Sequence, residues 1–147
     1  MTGLPSSILF VCSENALRSP MAEALAKDRF GDRVFVDSVG VRNGDLDPMA
    51  IAVLDEIGID MSRHVSKCLD DLMDTSFEVI VTLSPEAQHK AIELTRVTAS
   101  DVEYWPTPDP SVAEGHRNAR LAAYRELRDY LKKRIADRFG DPDVKKG

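Results

Sequence analysis

The amino-acid sequence predicts an α/β fold: a three-layer sandwich in which a four-stranded parallel sheet carries helices on both faces. Three observations predict it. Short runs of strand-forming residues, at 8–11, 34–39, 77–83 and 102–105, alternate with helical patterns along the whole chain. The run Phe77-Glu-Val-Ile-Val-Thr-Leu83 is nearly continuous in apolar residues, as expected of a strand covered on both sides. Serine or aspartate followed by proline recurs at Ser19-Pro20, Asp47-Pro48 and Ser84-Pro85 just ahead of helical patterns. This is a helix-entry signal, because a proline at the first helical position has no N–H to leave unpaired. In a sheet of this kind the functional crevice lies beyond the strands' carboxyl ends, which places the loop at Cys12, the loop after Val39, Ser84 and the loop at Asp109 on one rim.

In chain order, residues 1–5 read as a loose lead-in and 8–11 as the first strand. A helix over 20–30 follows the first loop, with Met21, Ala24, Leu25 and Phe30 on its buried side and Gly31 at its end. The strand 34–39 leads through a loop at 40–45 into a helix that Asp47 caps. Ala50, Val53, Leu54 and Ile57 share one face of it, Asp55 and Glu56 point outward, and Gly58 stops it. Ser66 is placed to cap a short helix carrying Leu69, Leu72 and Met73 inward. After the strand 77–83 and the helix entered at Ser84-Pro85 comes the fourth strand. Pro106, Pro108 and Pro110 then stiffen a loop suited to positioning a side chain. Ser111-x-x-Glu114 matches a capping box, and Leu121, Tyr124, Leu127, Leu131, Ile135 and Phe139 recur at the spacing of a long amphipathic helix. One domain over residues 1–147 is expected, with 140–147 as a flexible tail.

With 19 basic against 25 acidic residues the net charge is −6, which argues against general nucleic-acid binding, since that requires clustered positive charge. No apolar run has the length of a membrane span and no basic segment precedes the first apolar run, so a cytoplasmic protein is expected; a monomer or weak homodimer is the separate expectation for its assembly. Two cysteines, Cys12 and Cys68, in a chain of this size suggest reduced thiols. His64, His89 and His116 are scattered without metal-ligand spacing.

The chemistry concentrates in Cys12-Ser-Glu-Asn-Ala-Leu-Arg18-Ser19, between a strand's end and a helix's start. The first N–H groups of a helix lack intrahelical partners and can converge with loop amides on one anion. A thiol set among such amides beside a guanidinium is expected to have a depressed pKa and to react as the thiolate. Arg18 offers a planar fork that matches two oxygens of a tetrahedral oxyanion, and Ser19 can donate to the thiolate or cap the helix. The bland alternative for Cys12, a small buried hydrophobe, does not explain the arginine and serine at this spacing beside strand and helix signals. Asp109-Pro110 alone reads as an ordinary turn. A thiolate displacing an ester oxygen from phosphorus nevertheless needs a proton donor, and Asp109 on its stiff loop is the best-placed carboxyl group. Cys68 reads either as a resolving thiol for Cys12 or as a packed cysteine. The second is favoured, because the fold does not bring it to the rim. His64 and His89 read as surface or helix residues. Trp105 and Tyr104 are candidates to line the cleft, although alternation makes one of them core.

Cys12-x5-Arg18-Ser19 followed by Met21-Ala22-Glu23, together with Gly58-Ile59-Asp60, the strand Val79-Ile80-Val81-Thr82-Leu83 and the late Asp109-Pro110 pair, resembles the low-molecular-weight protein tyrosine phosphatase family, within it the arsenate-reductase-like branch. The resemblance covers most of the chain. It implies that Cys12 is the nucleophile, Arg18 the ligand of the phosphoryl oxygens, Ser19 the stabiliser of the thiolate and Asp109 the general acid. It likewise implies that Ser13, Glu14, Asn15, Ala16, Leu17, Arg18 and Ser19 form the phosphate-binding loop, with Asn15 holding a left-handed turn, and that no metal or cofactor is used. Departures from the family pattern are also visible. A glycine is usual where Glu14 stands, which costs backbone freedom and sets a carboxylate beside an anion site. Leu17 stands where many relatives have a second cysteine, Ser84 stands where thioredoxin-linked arsenate reductases need one, and Ser111 and Val112 replace the usual aromatics. The leading expectation is a phosphomonoesterase acting on a phosphorylated protein side chain or a small aryl phosphate. The alternatives are an arsenate reductase served by an external thiol and an oxyanion-binding module with little turnover.

Overall fold

The computed structural model describes residues 4–72, 76–94 and 99–140. Its elements run β1 (Ser7–Glu14), α1 (Arg18–Phe30), β2 (Phe35–Arg42), α2 (Pro48–Asp55), β3 (Val79–Thr82), α3 (Pro85–Leu94), β4 (Asp101–Tyr104) and α4 (Arg117–Phe139), with single 3₁₀ turns at Leu69–Asp71 and Pro110–Val112. The strands pair in parallel in the order β2-β1-β3-β4, so the apolar strands β1 and β3 are central. One sheet face, with Ile8, Phe10, Val36, Val79 and Val81, packs on side chains of α1, α2 and α4. The other, with Leu9, Val11, Val39 and Ile80, packs on Ala87 and Ala91 of α3 and on Leu69. The expected three-layer arrangement is therefore the observed one. Among the described residues no helix is long and apolar enough to cross a membrane.

Several boundaries differ from expectation. β1 does not end at Val11 but continues to Glu14, because β2 also runs on to Arg42 and pairs with it at Cys12↔Gly40 and Glu14↔Arg42. The connection to α1 is thereby cut to Asn15, Ala16 and Leu17. Asp47 caps α2 as expected, accepting from the Met49 N–H at 2.9 Å. Gly58 follows α2 in the left-handed region at φ +81, where a side chain would be strained. Ser66 caps nothing: its hydroxyl accepts from the Gly44 N–H at 3.2 Å, and Cys68 is the residue before the 3₁₀ turn. The expected capping box at Ser111 also fails, because α4 begins after His116 and Ser111 lies in the 3₁₀ turn that Asp109 caps. Met73 and the tail at 141–147 lie outside the described residues.

Candidate functional site

Cys12 belongs to the alternation Ile8, Phe10, Cys12 on the α1 side of the sheet and is only 1% exposed. Ser19 does not cap α1; it lies inside the helix, fully buried, and its hydroxyl is 2.9 Å from the Cys12 sulfur. Asn15 Nδ2 donates to Ser19 Oγ at 2.8 Å and to Ser38 Oγ at 3.1 Å, while Ser38 donates to Glu23 Oε1 at 2.6 Å. With its amide protons spent there, Asn15 accepts at Oδ1 from the Lys67 N–H at 3.0 Å and from His64 Nε2 at 2.6 Å. The Ser19 hydroxyl accepts from Asn15, so it keeps one proton to donate, for which the sulfur at 2.9 Å and the Val39 carbonyl at 3.3 Å compete. Sequence reasoning missed Glu23, Ser38 and His64 in this chain. His64 is no surface histidine; burial lowers its pKa from the ordinary value, and the nearby Glu23 carboxylate, 3.5 Å from Nδ1, opposes that shift. The Glu23 of the sequence motif was the only signal that could have pointed to it.

The expected depressed pKa of Cys12 is not what the structure supports. Burial pushes the thiol up, against the pull of the Ser19 hydroxyl, the Ser19 backbone, the Arg18 charge and the Glu14 backbone. The thiol donates to the Glu14 carbonyl at 2.6 Å, and that carbonyl also accepts the Ala16 N–H at 2.7 Å. The expected left-handed turn at Asn15 is likewise absent, since no residue other than glycine has positive φ among the described residues. Glu14 consequently needs no glycine-like backbone: it is the last residue of a regular strand.

The second half of the site comes from the stiff loop after β4. Trp105 is buried, edge-on to Phe10, and its Nε1 donates to Glu103 at 3.2 Å. Thr107 Oγ1 donates to the Trp105 carbonyl at 2.6 Å. Arg18 Nη1 donates to the Thr107 carbonyl at 2.8 Å, tying the cysteine loop to the Asp109 loop directly. Asp109 Oδ1 accepts from the Ser111 N–H at 2.9 Å and the Ser111 hydroxyl at 2.6 Å. A cavity of about 330 Å³ is lined by Ser13, Glu14, Ala16, Leu17, Arg18, Arg42, Asp109 and Ser111. Ser13 Oγ donates to Ser84 Oγ at 3.0 Å, so the rim assembles from the four predicted loops. Neither Trp105 nor Tyr104 is on that wall, and it contains no aromatic residue.

Cys68 is closer to the rim than the sequence suggested. It bridges to Gly40, which pairs in turn with Cys12, so the two cysteines sit at one level on either side of β2. Two ladder spacings put their Cα atoms roughly 10 Å apart, beyond the reach of a disulfide without backbone movement. The loop backbone also covers Gly40: a Cβ there would lie 2.4 Å from the Asn15 nitrogen.

Comparison with known proteins places these features in a family. The model of the low molecular weight phosphotyrosine protein phosphatases matches residues 7–141. An arsenate reductase of Halalkalibacterium halodurans is 35% identical over 130 residues, 87% of this chain and 91% of the relative. A glutaredoxin arsenate reductase of a Synechocystis species is 30% identical over 128 residues, 87% of this chain and 92% of the relative. Among solved structures, an arsenate reductase in the phosphate binding state superposes with a TM-score of 0.69 at 27% identity, covering 90% of this chain and 95% of that one. The YwlE arginine phosphatase from Geobacillus stearothermophilus does so with 0.72 at 26%, covering 92% and 91%. With its cysteine, arginine and serine on one strand-to-helix loop, the chain belongs to the low-molecular-weight phosphotyrosine protein phosphatase family, a family of cysteine-dependent enzymes.

Proposed function

We propose that this protein hydrolyses phosphomonoesters through a cysteinyl-phosphate intermediate. The observation that carries this reading is the placing of Arg18 and Asp109 on one cavity wall beside the loop that buries Cys12. In this reading the Cys12 thiol passes its proton to a phosphoryl oxygen of the entering dianion, and the thiolate sulfur attacks phosphorus. The S–P bond forms as the P–O ester bond breaks, and Asp109 gives its proton to the departing oxygen. Arg18 and the loop amides hold the phosphoryl oxygens. Water, losing a proton to the Asp109 carboxylate, then attacks phosphorus and releases inorganic phosphate and the Cys12 thiolate. Ser19, 2.9 Å from the sulfur, receives that thiolate with its hydroxyl proton, turned from the Val39 carbonyl. Water reaches phosphorus from the cavity side, so this cycle never requires a second reactant to reach the buried sulfur.

The relatives' names support a second reading, and support it better than the first: arsenate reduction. Cys12 would displace hydroxide from arsenate. An external thiol would then attack the Cys12 sulfur, releasing arsenite with the bonding electron pair and leaving a mixed disulfide, and a second thiol would restore Cys12. Two thiols become one disulfide as As(V) becomes As(III). Cys68 does not reach Cys12, so both thiols must come from outside, and the first must reach a sulfur that is 1% exposed.

Hydrolysis of an aryl phosphate by wild type, Cys12→Ser and Asp109→Asn separates the readings, with arsenate reduction followed in parallel using glutathione and glutaredoxin as donors. The hydrolase reading expects loss of turnover in Cys12→Ser and a kcat drop on the order of 10² to 10⁴ in Asp109→Asn. Turnover of arsenate with one thiol partner, and none of the phosphate ester, makes the protein a reductase. Oxyanion binding with neither turnover makes it a binding module.

A further inference from the structure

The cavity wall holds a charge asymmetry at Glu14. Its carboxylate is about half exposed, with 55% of the side chain accessible, and lies on the wall that also carries Arg18 and Asp109. Its direction is set by two neighbours. A Cβ on Gly44 would come within 2.8 Å of Glu14 Oε1 and 3.1 Å of its Cβ, so the glycine makes the room in which this side chain lies. Across the ladder stands Arg42, with Nε 3.9 Å from Glu14 Oε2.

Arg42 is already engaged by a third residue. Its Nη1 donates to Glu86 Oε2 at 2.5 Å, and the guanidinium holds the Glu86 carboxyl below its ordinary range. Two carboxylates thus share one guanidinium, and the looser partner is the one facing the cavity. The other charged groups on the wall have work of their own: Arg18 spans from the loop to the Thr107 carbonyl, and Asp109 Oδ1 is held by Ser111. No aromatic side chain on that wall offers a flat surface to a ring. A group entering beside the phosphoryl therefore meets an acid that is only partly neutralised.

We propose that Glu14 selects phosphomonoesters whose leaving group carries an ammonium or guanidinium group close to the ester oxygen. The proposal rests on the phosphomonoester reading of the site, since it names the substrate class of that same cavity. Arg42, clamped by Glu86, is the positioning residue that keeps the Glu14 carboxylate over Gly44. A positive leaving group gains a partly exposed ion pair, on the order of fivefold in affinity, and a negative one loses a similar factor.

Three phosphates of similar size test this: 2-aminoethyl phosphate, ethyl phosphate and phosphoglycolate. Their dissociation constants are measured by calorimetry on the full-length Cys12→Ser protein, which holds them without attack, and on the same protein carrying Glu14→Gln. The expected order is 2-aminoethyl tightest and phosphoglycolate weakest, with the roughly fivefold steps shrinking below about twofold in Glu14→Gln. Phosphoglycolate binding as tightly as 2-aminoethyl phosphate overturns the proposal, because Arg42 would then be reading an anion. A charge order that survives Glu14→Gln, or no binding of any of the three, overturns it too. Wild-type turnover of 2-aminoethyl phosphate is read separately. The charge order without hydrolysis of either 2-aminoethyl phosphate or the aryl phosphate sinks the hydrolase reading alone, and hydrolysis without the charge order sinks this inference alone.

Discussion

The hydroxyl of Ser19 lies 2.9 Å from the sulfur of Cys12; Asn15 donates to it at 2.8 Å, and the hydroxyl's own proton is shared between that sulfur and the Val39 carbonyl at 3.3 Å. The hydrogen bond to the sulfur is the largest of the influences that oppose the effect of burial on the thiol. Ser19→Ala should therefore raise the Cys12 pKa further. Iodoacetamide alkylation of the Cys12 peptide, followed by mass spectrometry across pH, reads it directly. Wild type should titrate above an ordinary cysteine thiol and Ser19→Ala higher still, with a slower rate at pH 7. A Ser19→Ala midpoint at or below that of wild type would mean that the hydroxyl does not stabilise the thiolate.

His64 links acid stability to the loop. Burial depresses its pKa from 6.5, so the folded chain favours the neutral ring while the unfolded chain binds the proton more readily. The stabilisation from this group is complete above about pH 6.5 and is lost as pH falls below that value, because the unfolded state then gains the proton first. Urea midpoints at pH 7.5, 6.5 and 5.5 should fall for wild type and fall less for His64→Gln, which keeps a donor for Asn15 but does not titrate. Parallel curves for the two proteins would remove His64 as the titrating group.

Gly40 seats the loop. An added Cβ would meet the Asn15 nitrogen at 2.4 Å and the Arg42 carbonyl at 2.5 Å, both backbone atoms that cannot rotate away. Gly40→Ala is expected to cost about 1 to 3 kcal/mol in urea denaturation, the range of overpacking, and to lower phosphate affinity with it. Gly58→Ala is the contrast: φ +81 makes it cost about 1 kcal/mol, but its Cβ would meet nothing within 4 Å. It should leave phosphate affinity alone. Equal effects of both variants on affinity would show that general destabilisation, not the seat, is responsible.

Tyr124 ties the terminal helix to the same loop. Its hydroxyl donates to Asp47 Oδ2 at 2.6 Å, while the Asp47 N–H donates to the Ala16 carbonyl at 2.9 Å. Tyr124→Phe should cost about 1 to 3 kcal/mol, because it strands one oxygen of a partly buried carboxylate. A change below about 0.5 kcal/mol in urea unfolding would show that solvent replaces the bond.

Cys68 supplies a test of the redox chemistry. Mild peroxide treatment should not produce an intramolecular Cys12–Cys68 disulfide, since β2 and the loop backbone stand between the two sulfurs. Non-reducing peptide mapping decides it. Such a bridge forming in the folded protein would require the Gly40 edge to open and would revive Cys68 as a resolving thiol.

The sequence by itself determined the order of strands and helices, the Asp47 cap, and the loop in which Cys12, Arg18 and Ser19 lie together. Each of these is carried by neighbours along the chain: apolar runs, proline at helix entry and residues a few positions apart. The place of Asp109 on the cavity wall was legible for a different reason: the proposed reaction calls for a proton donor, and one stiff loop offered a carboxyl group. Only the tertiary structure decided what surrounds the sulfur. Asn15 meets His64 across 49 residues, Arg18 meets Thr107 across 89, and Ser38 delivers Glu23 to the loop from another strand. Local periodicity says which face of an element is buried but not which polar groups meet there. For the same reason the burial that raises the Cys12 pKa, the strand register that pairs Glu14 with Arg42 and the approach of Cys68 to Gly40 had no signature in the linear chain. Register and desolvation exist only once the sheet has closed around the loop.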